Sequence, residues 1–257
     1  MKIIAIANQK GGVGKTTTAV NVAAGMKKIG KRVLCLDFDP QCNLGRYLGH
    51  TPDGASTITD FLFAKASYRP TPSMDGVIRT APCGIDYIPA SLALSKADMV
   101  LAQAMFRERI LDEVLRQIIP VDTYDVLLID CNPSMGVLLT NALVAATHVL
   151  IPVQTEEFAL SGLEDMLEMV GIVRQQINPS LEVLGLLPTM TAANNVSRGI
   201  LDTLHQCYPD LILDSKIGRS VEAARSTQQQ KPLIGSKGKL AEAYMAATKE
   251  LLNKLEG

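Results

Sequence analysis

The opening stretch MKIIAIANQKGGVGKTTTAVNVA constrains this chain more than any other part of it. A short apolar run at 2–7 enters a glycine-rich turn, and a helical pattern opens directly behind it. Gly11, Gly12 and Gly14, with Val13 between them, let backbone N–H groups converge on one anion. A helix N-terminus behind such a turn adds partial positive charge. Lys15 then stands at the β- and γ-phosphates of a nucleotide, and the Thr16 hydroxyl at Mg²⁺, with Thr17 continuing the helix start. The usual spacing asks for glycine at position 9, where this chain has Gln9. The motif is therefore a variant, K-G-G-x-G-K-T-T, and it carries a second lysine, Lys10, at its mouth.

The rest of the chain repeats the alternation. Apolar runs at 32–36, 85–88, 126–129, 148–153 and 183–187 read as buried strands. Helical patterns fall at 16–29, 95–118, 138–146, 157–177, 197–207 and 236–255. Aromatics make up only 4% of the residues and Trp is absent, which suits aliphatic parallel strands better than a β-sandwich. The expectation is an α/β fold: a mostly parallel central sheet with helices on both faces, and ligands beyond the carboxyl ends of its strands. The Pro/Ser-rich stretch 67–82 reads as a surface connection, so residues 1–257 are expected to form one domain.

Two acidic sites belong to the same end of that sheet. Asp130 closes the apolar run VLLID, where a carboxylate would hold Mg²⁺. Asp37 and Asp39 close the run before it in LDFDPQ, two apart and hence on one side of an extended segment. One would orient the attacking water while the other supports the loop. The cysteines are five and scattered, without a C-x-x-C pair, which fits a reducing cytosol, and no charged-then-apolar leader precedes the first strand. A soluble cytoplasmic protein is expected.

The loop KGGVGKTTT, the segment LDFDPQCNLG, IDCNPS and the later LPTM together resemble the ParA/Soj family of partition ATPases, in the deviant Walker-A class that also includes MinD. The resemblance runs from residue 1 to about 255 and implies a deviant P-loop NTPase fold, slow Mg²⁺-dependent ATP hydrolysis and a homodimer formed on ATP. It implies that Lys10 crosses the dimer interface to the phosphates held by the partner, that Lys15 serves its own nucleotide, and that Asp39 is the residue needed for hydrolysis. It also implies a dimer that binds DNA non-specifically on the nucleoid and is released by a ParB-like partner. No additional DNA-reading module is expected before Lys2.

Net charge is −1, so DNA contact requires a local patch. Between 215 and 240 six basic residues face one acid, Glu222, a local charge of +5. Arg219, Arg225, Lys231 and Lys237 are the candidates. The family usually reads P-R-N-V-R-L-S-E-A-P here; this chain keeps Arg219 but has Glu222 for the second arginine and Gly218 and Ser220 in place of proline and asparagine. Gly218 and Ser220 remain candidate adenine contacts through their backbones. A MinD-like membrane-associated positioning ATPase is the alternative, but the last helix balances its lysines with acids and has no Phe or Trp anchor. An iron–sulfur reductase sharing the loop would need Cys83 and Cys131 to hold a cluster between subunits.

Overall fold

The computed structural model describes residues 1–156 and 159–256. Strands β1 (Lys2–Ile6), β2 (Val33–Phe38), β3 (Arg79–Thr80), β4 (Asp86–Ile88), β5 (Val126–Cys131), β6 (His148–Gln154) and β7 (Glu182–Thr189) form one sheet in the order β3-β4-β2-β5-β1-β6-β7. All neighbours pair in parallel except the edge pair β3–β4. Alternate residues of β1 feed two cores. Ala5 and Ala7 enter one with α3 (Ile58–Ala66), α5 (Ile110–Ile118), α6 (Val137–Ala145) and α7 (Ala159–Gln176). Ile4 and Ile6 enter the other with α1 (Lys15–Lys28), α2 (Asn43–Tyr47) and α10 (Lys239–Glu256). Both faces of the sheet are thus covered, as uninterrupted aliphatic strands require.

The expected elements are present with three differences. The helix read at 95–118 is broken: α4 (Ala97–Leu101) ends early, Phe106 takes φ 51°, and α5 restarts at Ile110. The Asn141 side chain fixes that restart, accepting from Leu111 N and donating to Arg107 O. Three short helices lie where none was read, namely α2, α3 and α9 (Val221–Gln228). Asp60 starts α3 by accepting from both the backbone N and the hydroxyl of Thr57, a local turn rather than a periodic signal. Of the helix expected at 157–177, positions 157 and 158 lie outside the described residues. The helix expected at 197–207 is present as α8 (Asn195–Cys207), with the Asn194 side chain accepting from Ser197 N, and the third difference is edge strand β3, inside the stretch 67–82 read as a surface connection.

The last helix spends its apolar stripe on the interior: Leu240, Tyr244, Ala247, Leu251 and Leu252 are buried against α1 and β7. No described helix is long and apolar enough to cross a membrane. The α1–α10 crossing is close because Gly25 has no side chain; a Cβ there would stand 2.4 Å from Thr248 Oγ1. Gly25→Ala is therefore expected to lower stability by about 1–3 kcal/mol in urea denaturation. Adding Thr248→Ala, which removes the clashing hydroxyl, should recover part of the loss.

Candidate nucleotide site

The register of the sheet assembles the site. Asp130 pairs with Ile6 on one side and Asp37 on the other, so β1, β5 and β2 end level with one another. The glycine-rich loop leaves β1 at this edge. Gly12 and Gly14 have φ of 77° and 90°, conformations that disfavour any side chain, and a Cβ on Gly11, Gly12 or Gly14 would meet nothing within 4 Å. The loop therefore fronts open space, as a phosphate cradle must.

Asn8 ties the loop to the sheet. Its amide donates to Pro152 O at 2.8 Å and its carbonyl oxygen accepts from Lys10 N at 2.8 Å. Lys15 is only 7% exposed, and its ammonium donates to Asn8 O and Lys10 O, each at 3.1 Å. Burial lowers its pKa, with the Asp130 carboxylate the main opposing influence. A buried cation held only by carbonyls, at the mouth of a loop fronting open space, suits an incoming polyanion.

Asp130 is buried and accepts the Thr16 hydroxyl on Oδ2 at 2.7 Å. Burial drives its pKa well above the usual carboxylate range and nearby Asp37 adds to the rise, against the Thr16 hydrogen bond and Lys15. Its Oδ1, and Oδ1 of Asn132 just beyond, are buried without a hydrogen-bond partner. Orphaned oxygens cost roughly 1–3 kcal/mol each unless something meets them. Carboxylate, hydroxyl and orphaned oxygen form a hard donor set that fits Mg²⁺. Among the described residues no group of three or more His, Cys, Asp or Glu could hold a metal by itself. Mg²⁺ characteristically takes one or two carboxylates and completes its shell with phosphates and water.

Asp37 and Asp39, of which the family resemblance singles out Asp39, stand in different surroundings. Asp37 is fully buried, accepting from Gly45 N at 2.8 Å and Asp39 N at 3.3 Å. Burial pushes its pKa up to about 7, partly offset by those two N–H donors. It is the support for the loop. Asp39 uses Oδ1 to accept from Gln41 N at 2.8 Å and lies at the strand end, 9% exposed.

A cavity of about 310 Å³ continues from the glycine loop and is lined by Val13, Gly14, Thr17, Gly218, Ser220 and Tyr244, among others. The candidate adenine contacts Gly218 and Ser220 therefore stand beside the loop. Ser220 also caps α9, its Oγ accepting from Glu222 N at 3.1 Å. The basic candidates separate. Arg225, Lys231 and Lys237 line a second cavity of about 730 Å³ together with Glu222. Arg219 lines the first cavity instead and pairs with Glu156 at 2.8 Å. Of the proposed cluster cysteines, Cys131 is buried in the α6-side core while Cys83 packs against the opposite one. Asn8 and Glu156 are the contributors that sequence reasoning missed; the signal for Glu156 was its place just past the carboxyl end of a buried strand.

A family model described as an AAA domain, AAA_31, matches residues 1–183. The chromosome partitioning protein ParA of Caulobacter vibrioides is 36% identical over 259 residues, covering 99% of this chain and 95% of that protein. The sporulation initiation inhibitor protein Soj of Bacillus subtilis is 37% identical over 254 residues, covering 97% and 98%. This chain belongs to the ParA/Soj family of partition ATPases. A crystal structure of cobyrinic acid a,c-diamide synthase from Mycobacterium smegmatis with bound ADP and magnesium superposes with a TM-score of 0.83 at 32% identity, covering 100% and 96%. The ParA/Soj chain thus shares the fold of P-loop ATPases over its whole length.

The two aspartates can be told apart. Asp37→Ala should cost about 2–3 kcal/mol in denaturant unfolding, because two buried N–H groups lose their acceptor. Asp39→Ala loses one such hydrogen bond, at a less buried site, and should cost only about 1 kcal/mol while lowering ATP turnover. Equal stability losses in the two variants would contradict this division.

Proposed function

We propose that this ParA/Soj chain is an Mg²⁺-dependent ATPase that closes into a homodimer on ATP, binds DNA non-specifically in that state, and lets go when a ParB-like partner stimulates hydrolysis. Segregation of DNA or positioning of a cargo would follow from that cycle. The observation that carries the reading is the pair of lysines. Lys15 is buried inside its own loop, whereas the Lys10 ammonium lies outside that cradle, its side chain 39% exposed. Two cations on one phosphate group would repel; a cation offered outward is available to a neighbouring chain. Charge supplied in trans makes the nucleotide part of the interface and couples assembly to catalysis.

Within each chain the geometry supports the following roles. Lys15 exchanges its two carbonyl acceptors for phosphate oxygens, moving little. Thr16 and Asp130 would hold Mg²⁺, which would supply charge neutralisation on the phosphates. Asp39 orients the attacking water, on a loop held in place by buried Asp37. The 310 Å³ cavity is of a size for a nucleobase. For the read-out, Arg225, Lys231 and Lys237 give each chain three cations on one surface, doubled by dimerisation. Glu222 among them weakens that surface without cancelling it. The synthase named for the Mycobacterium smegmatis structure is a description of that protein; the two partition proteins matched along nearly their full length support the reading here. The buried stripe of α10 weighs against membrane association, and incubation with anionic vesicles would expose it if present.

With a non-hydrolysable ATP analogue and Mg²⁺, the wild type should dimerise in analytical ultracentrifugation. Lys10→Ala should keep its fold and nucleotide binding but remain monomeric, and Lys15→Ala should lose nucleotide binding or productive use of it. Replacing Arg225, Lys231 and Lys237 by Ala should weaken DNA retention and flatten its salt dependence, each lost phosphate contact lowering the slope by about 0.9. A DNA-binding slope unchanged in the triple variant would place the DNA surface elsewhere.

A further inference from the structure

Glu156 stands between two cations at the mouth of the nucleotide site. Its Oε1 accepts from Arg219 Nη2 at 2.8 Å, and its Oε2 lies 4.0 Å from Lys10 Nζ. The backbone that delivers this carboxylate is fixed: Thr155 is 2% exposed, donates its N–H to Thr189 O at 3.2 Å and shares a 2.7 Å hydroxyl contact with Ser197. Lys10 is fixed on its side by the Asn8 contact to its N–H. A second tie runs alongside, from Gln9 Nε2 to Asp165 Oδ2 of α7 at 2.7 Å. Two successive residues at the loop mouth thus face carboxylates beyond β6, Lys10 that of Glu156 and Gln9 that of Asp165 within α7.

We infer that Glu156 is a positioning residue that holds Lys10 back in the separated chain and releases it when two chains close over nucleotide. This rests on the reading of Lys10 as the cation supplied to the partner. The arrangement has a reason to be reversible. When Lys10 leaves, Arg219 still neutralises Glu156, so no carboxylate is left bare. Only the longer of the two contacts breaks, and both partners are partly exposed, with side chains 39% and 44% accessible. An exposed ion pair of this kind is worth a factor of about five at most. Each dimer must release two lysines, one per chain, so the factor enters the assembly constant twice. Glu156 thereby sets the threshold of nucleotide and protein concentration at which the dimer forms. It also links the dimer interface to Arg219 on the wall of the base cavity.

Two measurements test this. Zero-length carbodiimide crosslinking of the nucleotide-free wild type should join Lys10 to Glu156, identified by mass spectrometry, and the non-hydrolysable ATP analogue with Mg²⁺ should reduce that crosslink at least about fivefold. In sedimentation with the same analogue, Glu156→Gln should dimerise more tightly than wild type, by about three- to twentyfold. In a Lys10→Gln background the same substitution should do nothing. A crosslink that never forms, or that persists unchanged in the dimer, would overturn the inference, as would a Glu156→Gln chain that assembles no better than wild type. A wild type that stays monomeric with the crosslink intact would instead strike the dimer reading beneath it. A circular-dichroism melt of Glu156→Gln matching wild type excludes a folding defect as the cause.

Discussion

The arrangement depends on a carboxylate that the fold buries before anything balances it. Asp130 sits at the end of a central strand, with only the Thr16 hydroxyl on one oxygen and nothing on the other. A soluble protein rarely tolerates this unless a ligand completes the set. The strands on either side are not free to relax it, because Asp130 is in register with both Ile6 and Asp37. The sheet therefore concentrates an electrostatic demand at one edge, where the glycine loop fronts open space. Lys15 answers half of it from within the chain. The rest has to come from outside.

That demand explains why the acids near it differ so much in environment. Asp37 is as deep as Asp130, yet two backbone N–H groups occupy its oxygens, so it can serve only as scaffold. Asp39 is two residues further along, just past the strand end, 9% exposed against 0% for Asp37, and its carboxylate accepts from Gln41 N. Burial and hydrogen bonding thus give three neighbouring carboxylates three settings: Asp130 with an oxygen left unpaired, Asp37 held by two N–H donors, and Asp39 at the strand end. The same logic separates the lysines: Lys15 is enclosed by carbonyls, and Lys10 is left facing a surface glutamate.

How much of this can be read before folding depends on how local the cause is. The strands of the central sheet are legible because each is a run of aliphatic residues, and the loop is legible because glycine and lysine at fixed spacing have few other uses. Phe106 is not: nothing in AQAMFRER signals a left-handed residue, and the break is stabilised by Asn141 some thirty positions away. Edge strand β3 has two residues and no pattern to detect. The division between Asp37 and Asp39 is implied by the family resemblance but has no local signal in the residues, since the two lie two apart at one strand end. It is decided by where the Gly45 N–H lands, which is a property of α2. Asn8 and Glu156 escaped for the same reason: each works through partners on other elements, Pro152 for one and Arg219 for the other.

The basic segment near the end of the chain illustrates the converse error, a pattern that sequence groups and space divides. Arg219 and Arg225 belong to one run of charge, but Ser220 ends the extended segment and caps α9 between them. Arg219 is left on the nucleotide side of that cap, within reach of the β6–α7 junction, and Arg225 is carried around to the outer cavity with Lys231 and Lys237. The helix start thus stands between a residue that can sense the nucleotide site and residues that can hold a polyanion outside it. The short helix α9 is itself anchored through the contact between Ser226 and buried Tyr47. One hydroxyl cap therefore divides a single run of basic sequence between the wall of the smaller cavity and the outer one.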